Sequence, residues 1–169
     1  PATDPAALAE RRAGEVRAAA EALGVTDVAV WGHPDGELDR VSDLREELVG
    51  TVRRVRPDVV VTPDPTAVFF GDGYVNHVDH RTVGWAVLDA VAPAAASPLY
   101  HPERGPAHQV ATVLLSGTLE PDVWVDIADG LDAQVRALFS HTSQLAPDAD
   151  AWLADFVRSR AEEEGRRGG

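Results

Sequence analysis

His77 and His80 stand three residues apart in Asn76-His77-Val78-Asp79-His80-Arg81, with a carboxylate between them. If this segment opens a helix, side chains at that spacing project to one side of the first turn, and two imidazoles share a small volume with one carboxylate. Histidine and carboxylate together can hold a transition metal, and an imidazole beside a carboxylate can carry a proton. The same residues also have a plain structural reading, with Asn76 as helix N-cap and Asp79 favoured by the helix dipole. The bare spacing leaves both readings open.

The remaining candidates are weaker. The chain has no cysteine, which excludes a disulfide framework, a thiolate metal site and a cysteine nucleophile. Any transition metal here must be held by His and carboxylate. His101, His108 and His141 have no partner pattern, and capping or surface placement suffices for each. Gly32-His33-Pro34-Asp35-Gly36 has the residues of a turn, and no metal is expected there. No GxGxxG or phosphate-binding glycine loop is present.

The elements that must position His77 and His80 follow from hydropathy patterning. Residues 59–61, Val-Val-Val between Pro57 and Pro63, suit a strand buried on both faces of a parallel sheet. A Pro, Asp and Gly-rich loop leads from it to a helix predicted over 76–91 and stopped by Pro93. The histidines therefore fall beyond the carboxyl end of a strand, where open α/β sheets bind ligands. Further helices are predicted over 4–23, with Pro5 at the first position, and over 42–56, with Ser42 as N-cap. Two more cover 127–139 and 151–160, followed by a charged tail expected to fray. Strands are predicted at 27–31, 110–115 and 123–125, the first a parallel neighbour or near-neighbour of 59–61, joined to it by the 42–56 helix. This alternation is an α/β sheet with helices on its faces.

Composition narrows the partners. A chain of 169 residues, 44% hydrophobic, is long enough for one good core and too short to need two domains, so residues 1–169 are expected to form a single domain. The formal charge of -13 repels phosphate backbones and anionic headgroups, so neither nucleic acid nor membrane is an expected partner. No apolar run of spanning length and no leader pattern is visible, making the cytoplasm the default compartment.

With that context, His77-Val78-Asp79-His80-Arg81-Thr82-Val83-Gly84 resembles the His-Pro-Asp-His block of the LmbE-like (PIG-L) family of N-acetylglucosamine deacetylases, with Val in place of Pro. Arg12-Ala13-Gly14-Glu15 is similar to the family's Arg-x-x-Glu helix, which leads to Leu23-Gly24-Val25. Pro34-Asp35-Gly36-Glu37-Leu38 is similar to its Leu-Pro-Asp-Gly-Glu-Leu turn. Val125-Asp126-Ile127 and His141-Thr142-Ser143-Gln144 match its last two blocks. The five blocks stand in the family's order and cover nearly the whole chain.

The resemblance implies a Rossmann-like three-layer sandwich with a mostly parallel sheet, whose first βαβ part, carrying a His-Pro-Asp-Asp motif, is not in this sequence. It implies hydrolysis of an N-acetyl or related N-acyl group on a glucosamine-containing small molecule by a divalent metal, zinc above all. A thiol-conjugate amidase of the same fold, or a sugar-binding relative that has lost catalysis, are the alternatives. In this reading His80 is a metal ligand. His77 stabilises the oxyanion and protonates the leaving amine, and Asp79 bonds His77 and favours its charged form. Arg12 and Tyr74 would contact substrate. Without the first motif this chain is expected to bind zinc poorly and to be inactive alone. The oligomeric state stays open.

Overall fold

The computed structural model describes residues 4–169. Its helices are α1 (Pro5–Ala22), α2 (Leu44–Val55), α3 (Val78–Asp89), α4 (Leu131–Phe139) and α5 (Leu153–Gly168). Its strands are β1 (Val59–Pro63), β2 (Phe69–Phe70), β3 (Tyr74–Val75) and β4 (Thr112–Ser116). The chain forms two compact units, one from the residues up to Gly32 together with Asp122–Gly169, the other from His33–Pro121.

The His33–Pro121 unit is built on a parallel pair, β1 and β4, in register from Val59 opposite Thr112 to Pro63 opposite Ser116. Helices α2 and α3 flank it. Val60 and Val113, one from each strand, pack with Val52, Val87, Val91, Ala95 and Val110. Val49 is fully enclosed, at 0% exposure, against Ala90 and Ala94. The buried face of α2 therefore runs through Leu44, Val49, Val52 and Arg53, while Val55, which the sequence pattern places on that face, is exposed. Asp43, not Ser42, occupies the N-cap position of α2, and Ser42 Oγ donates to Asp43 Oδ1 and accepts from no helix amide.

Arg53 is 3% exposed, and backbone carbonyls alone receive its guanidinium. Nε donates to Ala95 O, Nη1 to His101 O and Gly105 O, and Nη2 to Ala94 O, Ser97 O and Tyr100 O. These bonds gather the 94–105 connection onto the end of α2 and satisfy six backbone acceptors that no ladder reaches.

Gly84 lets α3 approach the carboxyl end of β1. A Cβ there would lie 2.5 Å from the Pro63 carbonyl oxygen and 2.9 Å from Pro65 Cδ, contacts that neither rigid partner can relieve. Gly84→Ala is expected to displace α3 or to cost about 1–3 kcal/mol, as overpacking does. Chemical denaturation of variant and parent, with histidine resonances reporting on α3, checks both outcomes.

The other unit has its own core, in which Val135, Ala149, Leu153 and Val157 pack with Leu131, Leu138, Phe139 and Leu145. Helix α1 begins as expected, with Pro5 at its first position and Asp4 accepting from Ala6 N. Its Glu15, 7% exposed, latches the segment after α4: Ser143 Oγ donates to Oε2 at 2.6 Å, while Ser143 N and Thr142 Oγ1 donate to Oε1 at 2.7 and 2.9 Å. The Ser143 hydroxyl, above all, lowers the Glu15 carboxyl from 4.5 to about 2, helped by Ser143 N, Thr142 and Arg11 against the opposing effect of burial. A carboxyl lowered by folding stabilises fully above its unfolded value and stops doing so as pH falls through its folded value. The melting temperature should therefore fall between about pH 4.5 and about pH 2 in the parent, and a Glu15→Gln variant should lose that part of the slope.

Two expected strands are corrected. Residues 28–30 and 123–125 form no ladder with any described residue, and the parallel neighbour of β1 is β4. β-Branched residues favour extended backbone, but a strand also needs a partner's N–H and C=O groups. Without one, Val30, Val123 and Val125 stay exposed, the last at 64%. The tail expected to fray is helical as far as Gly168. The short antiparallel pair of β2 and β3, with Phe69 opposite Val75 and Phe70 opposite Tyr74, has no forerunner in the sequence reading.

Candidate metal and acid-base site

Past the end of β1 the chain is held by its own polar groups. Asp64 N donates to Ser116 O at 2.8 Å, and the Asp64 carboxylate accepts from Thr66 N and Thr66 Oγ1 at 2.8 and 2.7 Å. Burial pushes that carboxyl up, but these bonds outweigh it and leave it below its ordinary value. The β2–β3 hairpin then returns the chain to Asn76. Asn76 N donates to Val68 O, and the Asn76 side chain, 5% exposed, donates from Nδ2 to Ala67 O at 2.8 Å. Arg81 Nε donates to the Asn76 carbonyl.

Helix α3 opens immediately after. Its N-cap is His77, not Asn76: His77 Nδ1 accepts from Asp79 N at 3.2 Å, as an Asp or Ser oxygen would in that position. One turn on, His80 Nδ1 lies 3.2 Å from Asn76 Oδ1. The two rings are 5.8 Å apart between centroids, so the spacing places both imidazoles on one side of the first turn.

Asp79 bridges this helix to the turn that precedes α2. Its Oδ2 accepts from Gly36 N at 2.6 Å and its Oδ1 from Leu38 N at 3.1 Å. Its distance to His77 Nδ1, 3.8 Å, is that of an ion pair and too long for a hydrogen bond. The backbone amides reach the carboxylate first because the turn is docked on the helix. The turn is anchored on its other side too, where His33 Nε2 lies 2.9 Å from Glu47 Oε2.

That docking brings in a residue the sequence reading had left out of the site. Asp35, His77 and Asp79 each offer a donor atom within 4.8 Å of the others. Asn76 and Gly84 were likewise missed, Asn76 because it read as a cap and Gly84 because close approach of two elements has no local signature. Tyr74 sits on β3, half exposed, with its ring tilted 5.9 Å from Phe70. Arg12 belongs to the other unit, where its Nε is buried and has no hydrogen-bond partner among the described residues.

Imidazole nitrogen and carboxylate oxygen are the donors that a catalytic divalent ion takes, and Asp35, His77 and Asp79 supply both kinds, while His80 lies outside that group with its Nδ1 against Asn76 Oδ1 and its Nε2 in no hydrogen bond among the described residues. A second group, Glu46, His101 and Glu103, also clusters, but Arg104 already pairs with Glu46 there. An open groove beside α3, lined by Leu38, Thr82 and Trp85 among others, includes neither histidine nor Asp79.

A parallel pair flanked by helices, with a histidine-bearing helix opening past its carboxyl end, defines an α/β protein with a polar cluster where such sheets bind ligands. The chain belongs to the PIG-L family, whose model, GlcNAc-PI de-N-acetylase, matches residues 1–91, more than half of it. A diacetylchitobiose deacetylase of Thermococcus kodakarensis is 32% identical over 158 residues, which cover 91% of this chain and 57% of that protein. A 1D-myo-inositol 2-acetamido-2-deoxy-alpha-D-glucopyranoside deacetylase of Geodermatophilus obscurus is 38% identical over 120 residues, 60% of this chain and 38% of that one. Among solved structures, N,N'-diacetylchitobiose deacetylase from Pyrococcus horikoshii superposes with a TM-score of 0.82 at 28% identity, over 99% of this chain and 64% of that chain. The chain thus spans less than two thirds of the length of each of these relatives. The α/β fold expected from the sequence is the fold of these deacetylases.

Proposed function

We propose that the full-length protein is a metal-dependent hydrolase that removes the N-acetyl group from a glucosamine-containing small molecule. The observation that carries this reading is the pairing of His77 and His80 on the first turn of α3, past the carboxyl end of β1, with Asp79 beside them. The printed activities of the relatives, all deacetylases of acetamido sugars or their conjugates, support the substrate class. Among the described residues no helix is long and apolar enough to cross a membrane.

In this reading His80 holds a divalent ion, with zinc the ion that imidazole and carboxylate suit. When bound, such an ion supplies a water ionised near neutral pH and polarises the amide carbonyl. His77, once it carries a hydrogen on both ring nitrogens, would donate from Nε2 to the developing oxyanion and pass that proton to the leaving amine, ending as a neutral ring with its hydrogen on Nδ1. When His77 is protonated at Nδ1, that nitrogen can no longer accept from Asp79 N. It turns donor, and Asp79 Oδ2 is the acceptor 3.8 Å away. Asp79 thereby supports both protonation states of His77 while holding the Gly36 and Leu38 amides in place. The family resemblance alone gives Arg12 the sugar hydroxyls and Tyr74 a place on the substrate side.

The test is acetate release from N-acetylglucosamine and its β-linked dimer by the full-length protein, with and without zinc after chelation. Metal-dependent release supports the reading. Binding of these sugars with no release at any metal loading replaces it with the sugar-binding alternative.

A further inference from the structure

Two neutral imidazoles three residues apart need not carry their protons on the same nitrogen, and the hydrogen bonds of this segment separate them. Asn76 is the key. Its amide is turned so that Nδ2 donates to Ala67 O at 2.8 Å, inside a site where Asn76 is 5% exposed. Turning the amide over would set two acceptor oxygens against each other at that distance. The orientation is therefore settled by Ala67, and it leaves Oδ1, an acceptor only, facing His80 Nδ1 at 3.2 Å. Nδ1 of His80 must then carry the hydrogen, and Nε2 must carry the lone pair. His77 is the reverse case: its Nδ1 accepts from the Asp79 backbone N–H, so its hydrogen sits on Nε2.

We propose that Asn76 is a positioning residue that holds His80 in the Nδ1–H form, and that this segment keeps His77 and His80 in opposite neutral tautomers. The inference deepens the functional reading above, because the His80 form is the one that offers Nε2 to a metal and the His77 form the one that offers Nε2–H to an oxyanion. It concerns the protein with no ligand bound, so it can fail or stand independently of that reading. Free neutral histidine prefers the Nε2–H form. His80 is thus held against its intrinsic preference, and the holding group is identifiable.

The experiment is long-range ¹H–¹⁵N correlation on full-length protein labelled at histidine and stripped of metal, read at the alkaline end of a pH series, past the last change in the ring ¹⁵N shifts. Resonances are assigned with His77→Gln and His80→Gln. The expected result is an Nδ1–H pattern for His80 and an Nε2–H pattern for His77. Asn76→Ala should return His80 to the Nε2–H form. In chelator competition, Asn76→Ala should lose about 10- to 100-fold in zinc affinity, the range for removing a partner that orients a ligand. An Nε2–H pattern for His80 in the parent protein overturns the inference, and that measurement needs no variant to fold. If the tautomers are as stated and acetate is never released, the inference stands and the deacetylase reading falls. If acetate is released but His80 is Nε2–H, the reverse holds.

Discussion

In the full-length protein, His77→Ala is expected to keep its metal and lose turnover by about 10² to 10³ fold, whereas His80→Ala loses metal and turnover together. The division follows from where each ring is tied. His77 spends Nδ1 on the helix N-terminus and has one nitrogen left, which serves proton transfer and oxyanion stabilisation. Removing it takes away a donor that acts in the transition state and leaves the metal's donors untouched, so kcat falls while metal content does not. His80 is held by a buried amide in the manner of a metal ligand with its orienting partner. Metal content by atomic emission, measured on the same preparations as the rates, separates the cases. An empty site in His77→Ala, or a full one in His80→Ala, reverses the two roles. Parental turnover in both would return the segment to a surface helix cap.

Arg53→Met should destabilise the protein by about 3–5 kcal/mol, with a fall in melting temperature on the order of 10 °C. Methionine fills a similar volume, so the loss is mostly polar. Six bonds to carbonyls from Ala94 to Gly105 would be lost, although Ala94 O, Ala95 O and His101 O keep a backbone donor each, and a hydrogen bond to a charged group is worth about 1.5–3 kcal/mol before partial rehydration reduces the sum. Arg53→Lys should recover less than half, because an ammonium has three donors at one point where the guanidinium has five in a plane. Thermal and denaturant unfolding of both variants checks this. A change below about 1 kcal/mol in Arg53→Met would mean that the 94–105 connection holds itself together.

Arg53 also shows where reading the sequence runs out. As one of two adjacent arginines in the last turn of a helix, it has the local signature of a solvated cation near the negative end of the dipole. Its burial is decided by carbonyls 41 to 52 residues further on, which no local pattern reports. The 59–61 strand and the His-x-Asp-His helix were legible for the opposite reason: a β-branched run between prolines and a two-histidine turn are complete within a few residues. The 28–30 and 123–125 runs share the first of these signatures and still form no ladder among the described residues, because pairing belongs to the neighbour as much as to the strand. At the site, the sequence marked the histidines and the carboxylate that the fold brings to one helix turn, and it did not mark the contacts that hold them there. Asn76 and Gly84 work through Ala67 and Pro63, whose proximity exists only once the chain has folded.

The two buried charges described above also differ in what acid does to them. Glu15 anchors its partners as an anion and releases them when it gains a proton, so the tie between α1 and the Thr142-Ser143 segment is reversible by pH alone. Arg53 has no proton to gain, and its partners are neutral carbonyls that acid does not discharge and salt does not screen. The 94–105 connection is thus fastened by something closer to a rivet than a switch, and acid reaches the two units of this chain by different routes.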